Sequence, residues 1–140
     1  LKSLERERLA VDANPLLSAV IGGSALRVFE NLRVLQFATT VHTLNEVLEY
    51  IPELAKKAKH PIGMVFLQLA LLPVEVYDEQ FYADMLPEAE KRIAKRDPED
   101  IDLLALALKL DGTVWSNDRD FENIGVKQLT TAQLLSVLKL

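Results

Sequence analysis

The sequence predicts an α/β fold: a short parallel sheet flanked by helices on both faces, in three layers. Two observations carry this. Short apolar runs bounded by turn residues alternate with stretches of helical periodicity, and strands separated by helices belong to a parallel sheet covered on both sides. The size also fits, because 140 residues with 49% hydrophobic content can bury a real core. No internal repeat, low-complexity segment or Gly/Ser/Pro-rich linker divides the chain, so residues 1–140 read as a single domain.

Leu9–Asp12 reads as the first strand, and Asn14-Pro15 turns it into an apolar helix through Ala19. Gly22-Gly23 breaks that helix, and Ser24 is placed to cap a second one carrying Leu26, Val28, Phe29 and Leu32. Leu35–Ala38 is the next strand. Thr43-Leu-Asn-Glu46 has the spacing of a capping box, opening a helix that runs to Lys56, Lys57 and Lys59 with Pro52 predicting a kink. His60-Pro61-Ile-Gly63 is a break, and Met64–Leu71 a short helix. Pro73–Val76 is a strand, followed by one helix from about Asp78 to Lys95. Asp97-Pro98 starts a Leu/Ala-rich helix that ends near Leu110-Asp111-Gly112. Thr113–Ser116 and Val126–Leu129 are strands, and Thr131–Leu138 is a terminal helix capped at Thr130 or Thr131.

Composition excludes several chemistries. With no cysteine there is no disulfide scaffold, thiolate metal site or Cys nucleophile, which fits a reducing, cytoplasmic setting. The apolar run around Met64–Leu72 is too short to span a bilayer, and the opening charges Lys2, Glu5, Arg6, Glu7 and Arg8 do not form a signal peptide. A net charge of −5 does not attract phosphate at long range. A nucleic-acid partner therefore requires local basic residues or bound metal. No Walker-type loop and no strand–GxGxxG–helix unit is present.

Ligands of an open parallel sheet bind beyond the carboxyl ends of its strands. Asp12 ends the first strand and Asp118 follows Thr113–Ser116, so two acids far apart in sequence can converge there. An Asx-turn or a helix cap explains either one alone. Near the Leu/Ala helix, Asp97 fits the N-cap with Pro98 at the first position. At about 100° per residue, with Asp100 as zero, Leu104, Ala107 and Leu108 fall within roughly 80°. Asp100 thus shares the buried side, where a carboxylate needs a partner, a cap role with Asp97, or a metal. Asp102, at roughly 200° beside Lys109, belongs to the solvated face. Glu46 is accounted for locally by the capping box. His42 and His60 have no partner at ligand spacing, and Trp115 reads as packing.

The blocks Val11-Asp12-Ala-Asn14, Glu46, Arg96-Asp97-Pro-Glu-Asp100-Ile-Asp102 through Leu108, and Trp115-Ser116-Asn-Asp118-Arg-Asp120-Phe121 resemble, in order, those of the PIN domain family, which includes VapC-like toxin ribonucleases. The resemblance runs from about Leu9 to Leu129 and implies a PIN-like fold with an acidic cluster binding Mg²⁺ or Mn²⁺. Carried over, Asp12, Glu46, Asp100 and Asp118 are the catalytic acids, and Asp12, Asp100, Asp118 and Asp120 the metal ligands, with Asp102 as fallback for the third acid. Asn14 and Ser116 become supporting residues, and Arg96 and Arg119 potential phosphate contacts. It further implies metal-assisted hydrolysis of single-stranded RNA, an antitoxin partner and a homodimer. Two other classes compete: a catalytically silent PIN-like binding module, marked by lost acids, and a phosphoacceptor receiver domain, for which Lys127 would have to serve as the late-strand lysine.

Overall fold

The computed structural model describes residues 7–140 except 34 and 94, so Lys2, Glu5 and Arg6 lie outside the described residues. Five strands, β1 (Glu7–Val11), β2 (Leu35–Thr40), β3 (Val74–Tyr77), β4 (Thr113–Trp115) and β5 (Gln128–Leu129), form one sheet in the order β3-β2-β1-β4-β5. Every neighbouring pair is parallel. The chain moves outward from β1 through β2 to β3, then returns to the other side of β1 with β4. This reversal opens a crevice between the carboxyl ends of β1 and β4, the usual ligand position in such sheets.

Alternation along the strands divides the core. Leu9, Val11, Leu35, Phe37 and Trp115 pack on one face, against α1 (Ala13–Val20), α2 (Ala25–Phe29), α3 (Val41–Ala58), α4 (Ile62–Leu71) and α8 (Thr131–Val137). Ala10, Ala38 and Val114 point the other way, against α5 (Glu79–Tyr82), α6 (Leu86–Ile93) and α7 (Ile101–Leu110). The three-layer α/β/α architecture expected from the alternating pattern is therefore present. Trp115 is fully buried with Phe29 and Phe37, at ring-centroid distances of 4.8 and 5.8 Å, and its indole N–H donates to Thr131 Oγ1. It is a packing residue.

Several boundaries differ from expectation for identifiable reasons. Thr40, not Thr43, caps α3: its hydroxyl accepts from the Thr43 backbone N–H at 2.9 Å. The Thr43–Glu46 capping box does not form, because both residues already lie inside the helix. That helix is continuous through Pro52. Ser24 has helical backbone angles and makes no side-chain cap bond; α2 stops at Phe29, leaving Leu32 exposed. Gly63 lies within α4, which starts at Ile62 behind Pro61. The helix expected over Asp78–Lys95 divides into α5, a 3₁₀ turn at Ala83–Met85, and α6. Pro87 has no N–H to donate back to Ala83, and its ring crowds that carbonyl, which favours a break there. A second 3₁₀ turn, Pro98–Asp100, precedes α7, with Asp97 as its N-cap. Thr130 caps α8 in a complete capping box with Gln133.

Candidate functional site

Register places the first two acids. Val11 pairs with Trp115 across β1 and β4, so Asp12 and Ser116 leave the sheet side by side. Asp12 becomes the N-cap of α1: Oδ1 accepts from the Ala13 N–H at 2.8 Å, and Oδ2 accepts from Ser116 Oγ at 2.7 Å. Ser116 Oγ in turn accepts from the Asp118 N–H at 3.0 Å, and Asp118 Oδ1 from the Asp120 N–H at 2.9 Å. The cap reading of Asp12 is therefore correct, and the same carboxylate also accepts from Ser116. Burial pushes the Asp12 carboxyl up, the bonds from Ser116 and Ala13 pull it back, and Asp118 and Asp97 push it up again.

The tightest acidic group is Asp97, Asp100, Asp118 and Asp120, each offering a carboxylate oxygen within 4.8 Å of the others. Asp97 was legible only as a cap. Its Oδ1 does accept from the Glu99 N–H at 3.0 Å, and the same side chain joins the cluster. Asp12 lies outside this set at that spacing, although its charge acts on Asp100. Asp100 is only 8% exposed, and its Oδ2 is buried without a hydrogen-bond partner. Burial first, then repulsion from Asp12, Asp97, Asp118 and Asp120, raises its carboxyl to about 8. The Asp120 carboxyl is also raised, by desolvation and then by Asp118 and Asp97. Hard oxygen donors converging around an orphaned carboxylate oxygen fit Mg²⁺ or Mn²⁺ and do not fit a soft metal.

Glu46 stands apart from the four aspartates, in a separate group with His42 and Glu99. His42 is not isolated, as its spacing suggested: Nε2 lies 2.9 Å from Glu99 Oε2 and 3.9 Å from Glu46 Oε1. Burial raises the Glu46 carboxyl, His42 opposes this, and Asp12, Glu99 and Asp97 add to it. Asn14 Oδ1 accepts from Asn117 Nδ2, whose amide oxygen accepts from the Thr131 N–H, tying α1 to the start of α8.

Asp102 is not solvated. It is half-buried and accepts from the buried Tyr82 hydroxyl at 2.5 Å, a structural commitment that leaves Asp100 as the acid of this turn. Arg96 Nη1 donates to the carbonyls of Asp120 (3.1 Å) and Glu122, and Arg92, one turn earlier, to those of Ile124 and Gly125. Both arginines hold the loop that carries Asp118 and Asp120. Arg119 is exposed, and its side chain makes no hydrogen bond or ion pair among the described residues. Lys127 lies 3.9 Å from Glu7, at the start of β1 and so at the opposite end of the sheet from Asp12, which removes the lysine a receiver domain needs. The residues missed in sequence are Asp97, His42 and Gln128, whose Nε2 donates to the carbonyls of Ser116 (2.9 Å) and Asp118 (2.8 Å). Asp97 carried a signal, three positions before Asp100; the other two are juxtaposed only by folding.

Fold and site together define a parallel α/β domain with an acidic centre suited to a hard divalent cation at its topological switch point. The chain belongs to the PIN domain family, whose model matches residues 10–139. No curated protein sequence matches it significantly. Among solved structures, it is similar to a chain of the VapBC2 crystal structure from Rickettsia felis, bound to a DNA fragment from their promoter: TM-score 0.63 and 17% identity, covering 88% of this chain and 98% of that one. At that identity the likeness is one of fold. No helix among the described residues is long and apolar enough to cross a membrane.

Proposed function

We propose that this chain is a Mg²⁺- or Mn²⁺-dependent endoribonuclease acting on single-stranded RNA, and the cytoplasmic toxin of a VapBC-type toxin–antitoxin pair. The observation that carries this reading is the unpartnered, buried Asp100 oxygen inside a cluster of four aspartates. A buried carboxylate in that state is costly by itself and is relieved by a cation. Asp97, Asp100, Asp118 and Asp120 would hold the ion, with Asp12 adjacent. When bound, it supplies Lewis acidity, neutralising phosphate charge and making water nucleophilic.

The chain's own groups divide the remaining work. Ser116 is committed between Asp12 and Asp118, so it is not free to attack, and water is the nucleophile. With an ion bound, Asp100 would serve as a carboxylate ligand. Asp12 is held by two hydrogen bonds and orients the attacking water. Glu46, its carboxyl raised by burial, would move a proton between solvent and the reacting oxygens. Arg119 meets the phosphate of the incoming strand, and Asn14 with Asn117 fixes the wall opposite.

The family match and the likeness to VapBC2 support an antitoxin partner. Self-association is supported by α4, an apolar helix in which Val65 is buried while Ile62, Met64, Phe66, Leu67 and Leu71 are exposed. A helix apolar on all sides is normally covered.

The reading is tested by assaying wild type, Asp12→Asn, Asp100→Asn and Asp118→Asn on single-stranded RNA, with Mg²⁺, Mn²⁺ or EDTA. Losses of about 100-fold or more are expected for each variant and for EDTA. Equal activity in all four proteins would sink the site assignment. If the wild type neither cleaves RNA nor melts higher with metal, the silent binding module takes its place.

A further inference from the structure

A cleft of about 360 Å³ lies on the far side of the Asp118 loop, bounded by that loop, β5 and the start of α8. Asp118 lines it and also belongs to the four-aspartate cluster, so cleft and acidic centre share a wall. We propose that this cleft is a subsite for one nucleobase of the single strand, next to the phosphodiester that is cut. The inference rests on the ribonuclease reading above and adds a base-recognition site to it.

The hydrogen-bond network fixes what the cleft presents. Gln128 spends its amide N–H groups on the carbonyls of Ser116 and Asp118, which sets the orientation of the amide and leaves its Oε1 as a free acceptor. Gln133 does the reverse. Its Oε1 accepts from the Thr130 N–H at 2.8 Å, leaving its NH₂ as a free donor. The Asn123 side chain makes no hydrogen bond among the described residues. An oriented acceptor, an oriented donor and an adaptable amide match the mixed donor–acceptor edge of a base. Val126, half-buried, supplies an apolar contact for the base's flat face, backed by the fully buried Phe121. The volume is at the lower end of small-ligand sites, which start at about 300 Å³. Bases of single-stranded RNA are unstacked and are read in this way, through their edges and faces.

Position favours a nucleobase over a peptide. Asp118 belongs to the acidic cluster and lines the cleft beside Arg119, so the opening lies next to the place where those acids would meet a phosphate. Arg119 at the rim offsets one of the two acids, Asp118 and Glu122, that line the cleft, so it repels RNA less than the four-aspartate cluster does.

The test uses two variants that keep the backbone intact. Gln133→Glu retains the acceptor that caps α8 and removes the free donor. Asn123→Gly removes the amide at a residue with φ +59°, where glycine is unstrained. Full-length wild type and variants are assayed with Mn²⁺ on RNA oligonucleotides that differ only in the base on either side of the cleaved bond. A preference at one position, shifted by about tenfold or more in both variants, is expected. Identical base profiles in all three proteins overturn the subsite and leave the ribonuclease standing. If the wild type cleaves none of these RNAs, the ribonuclease reading falls, and NMR titration with the four nucleoside monophosphates decides the subsite separately. Saturable shifts at Gln128 and Gln133 that weaken in Gln133→Glu support it. No shift with any nucleotide overturns it and assigns the cleft to a protein partner.

Discussion

The Ser116 hydroxyl donates to Asp12 at 2.7 Å and accepts from the Asp118 backbone N–H at 3.0 Å. One small side chain therefore couples the acid that ends β1 to the acid that follows β4. Ser116 is fully buried, so its hydrogen bonds face no competition from water. In Ser116→Ala the Asp118 N–H and one Asp12 oxygen both lose their partner. Stability should drop by about 1–3 kcal/mol, and RNA cleavage should fall about tenfold or more as the two carboxylates lose their alignment. Thermal denaturation read beside kcat/KM checks this; an unchanged kcat/KM would show that the bridge does not position the acids.

Two aspartates two positions apart should respond with opposite signs. Asp100→Asn replaces a buried, unpartnered acid that the metal-free fold must protonate, so the metal-free protein should become more stable near neutral pH while activity and metal-linked stabilisation are lost. Asp102→Asn weakens the bond to the Tyr82 hydroxyl and should cost about 1–3 kcal/mol with activity retained. Melting curves with and without Mn²⁺ separate the two. Loss of metal response in Asp102→Asn would reverse the assignment of the third acid.

The pH dependence has a definite sign. The Asp100 carboxyl sits near 8 in the metal-free fold, against an ordinary value of 3.8. Between those values the folded state holds a proton that the unfolded chain has released. Its contribution to stability is present in full below about 4, is lost as pH rises toward about 8, and is constant above that. The difference in melting temperature between wild type and Asp100→Asn, both in EDTA, should thus grow more unfavourable to the wild type across this window. A pH-independent difference would contradict the raised carboxyl.

Self-association through α4 predicts that Met64→Lys combined with Leu67→Lys yields a monomer. Both side chains are more than half exposed, at 58% and 51%, so the substitutions place charge on the helix surface without opening the core. Light scattering coupled to gel filtration reads the mass. A wild type that is already monomeric, or a double variant that remains dimeric, would remove α4 from the interface.

Patterns confined to a few neighbouring residues were legible in sequence. The strand at Leu9–Val11, a cap at Thr130 or Thr131, and the break around Gly112 follow from local periodicity, capping and turn chemistry. The α3 start was displaced because Thr40 and Thr43 are equally good cap residues, and only the end of β2 decides between them. The long helix expected over Asp78–Lys95 is broken ahead of Pro87, which cannot complete the hydrogen bond of the preceding turn. Asp97 was read as a cap because a cap is a local object, whereas a cluster with Asp118 and Asp120 is not.

By itself, then, the sequence determined the three-layer α/β class, the strand-end positions of Asp12 and Asp118, and the burial of Asp100 at the entrance to α7. These depend on the period-2 and period-3.6 repeats, which are properties of a single segment. Tertiary structure alone decided that Asp97 joins the acidic group, that Asp102 serves Tyr82, and that Glu46 stands with His42 and Glu99. Those outcomes turn on how the elements pack, which brings residues 20 to 57 positions apart within hydrogen-bonding reach. The bridge from Ser116 to Asp12 belongs to both: each residue was placed at a strand end by its own segment, and the pairing of Val11 with Trp115 put them 2.7 Å apart.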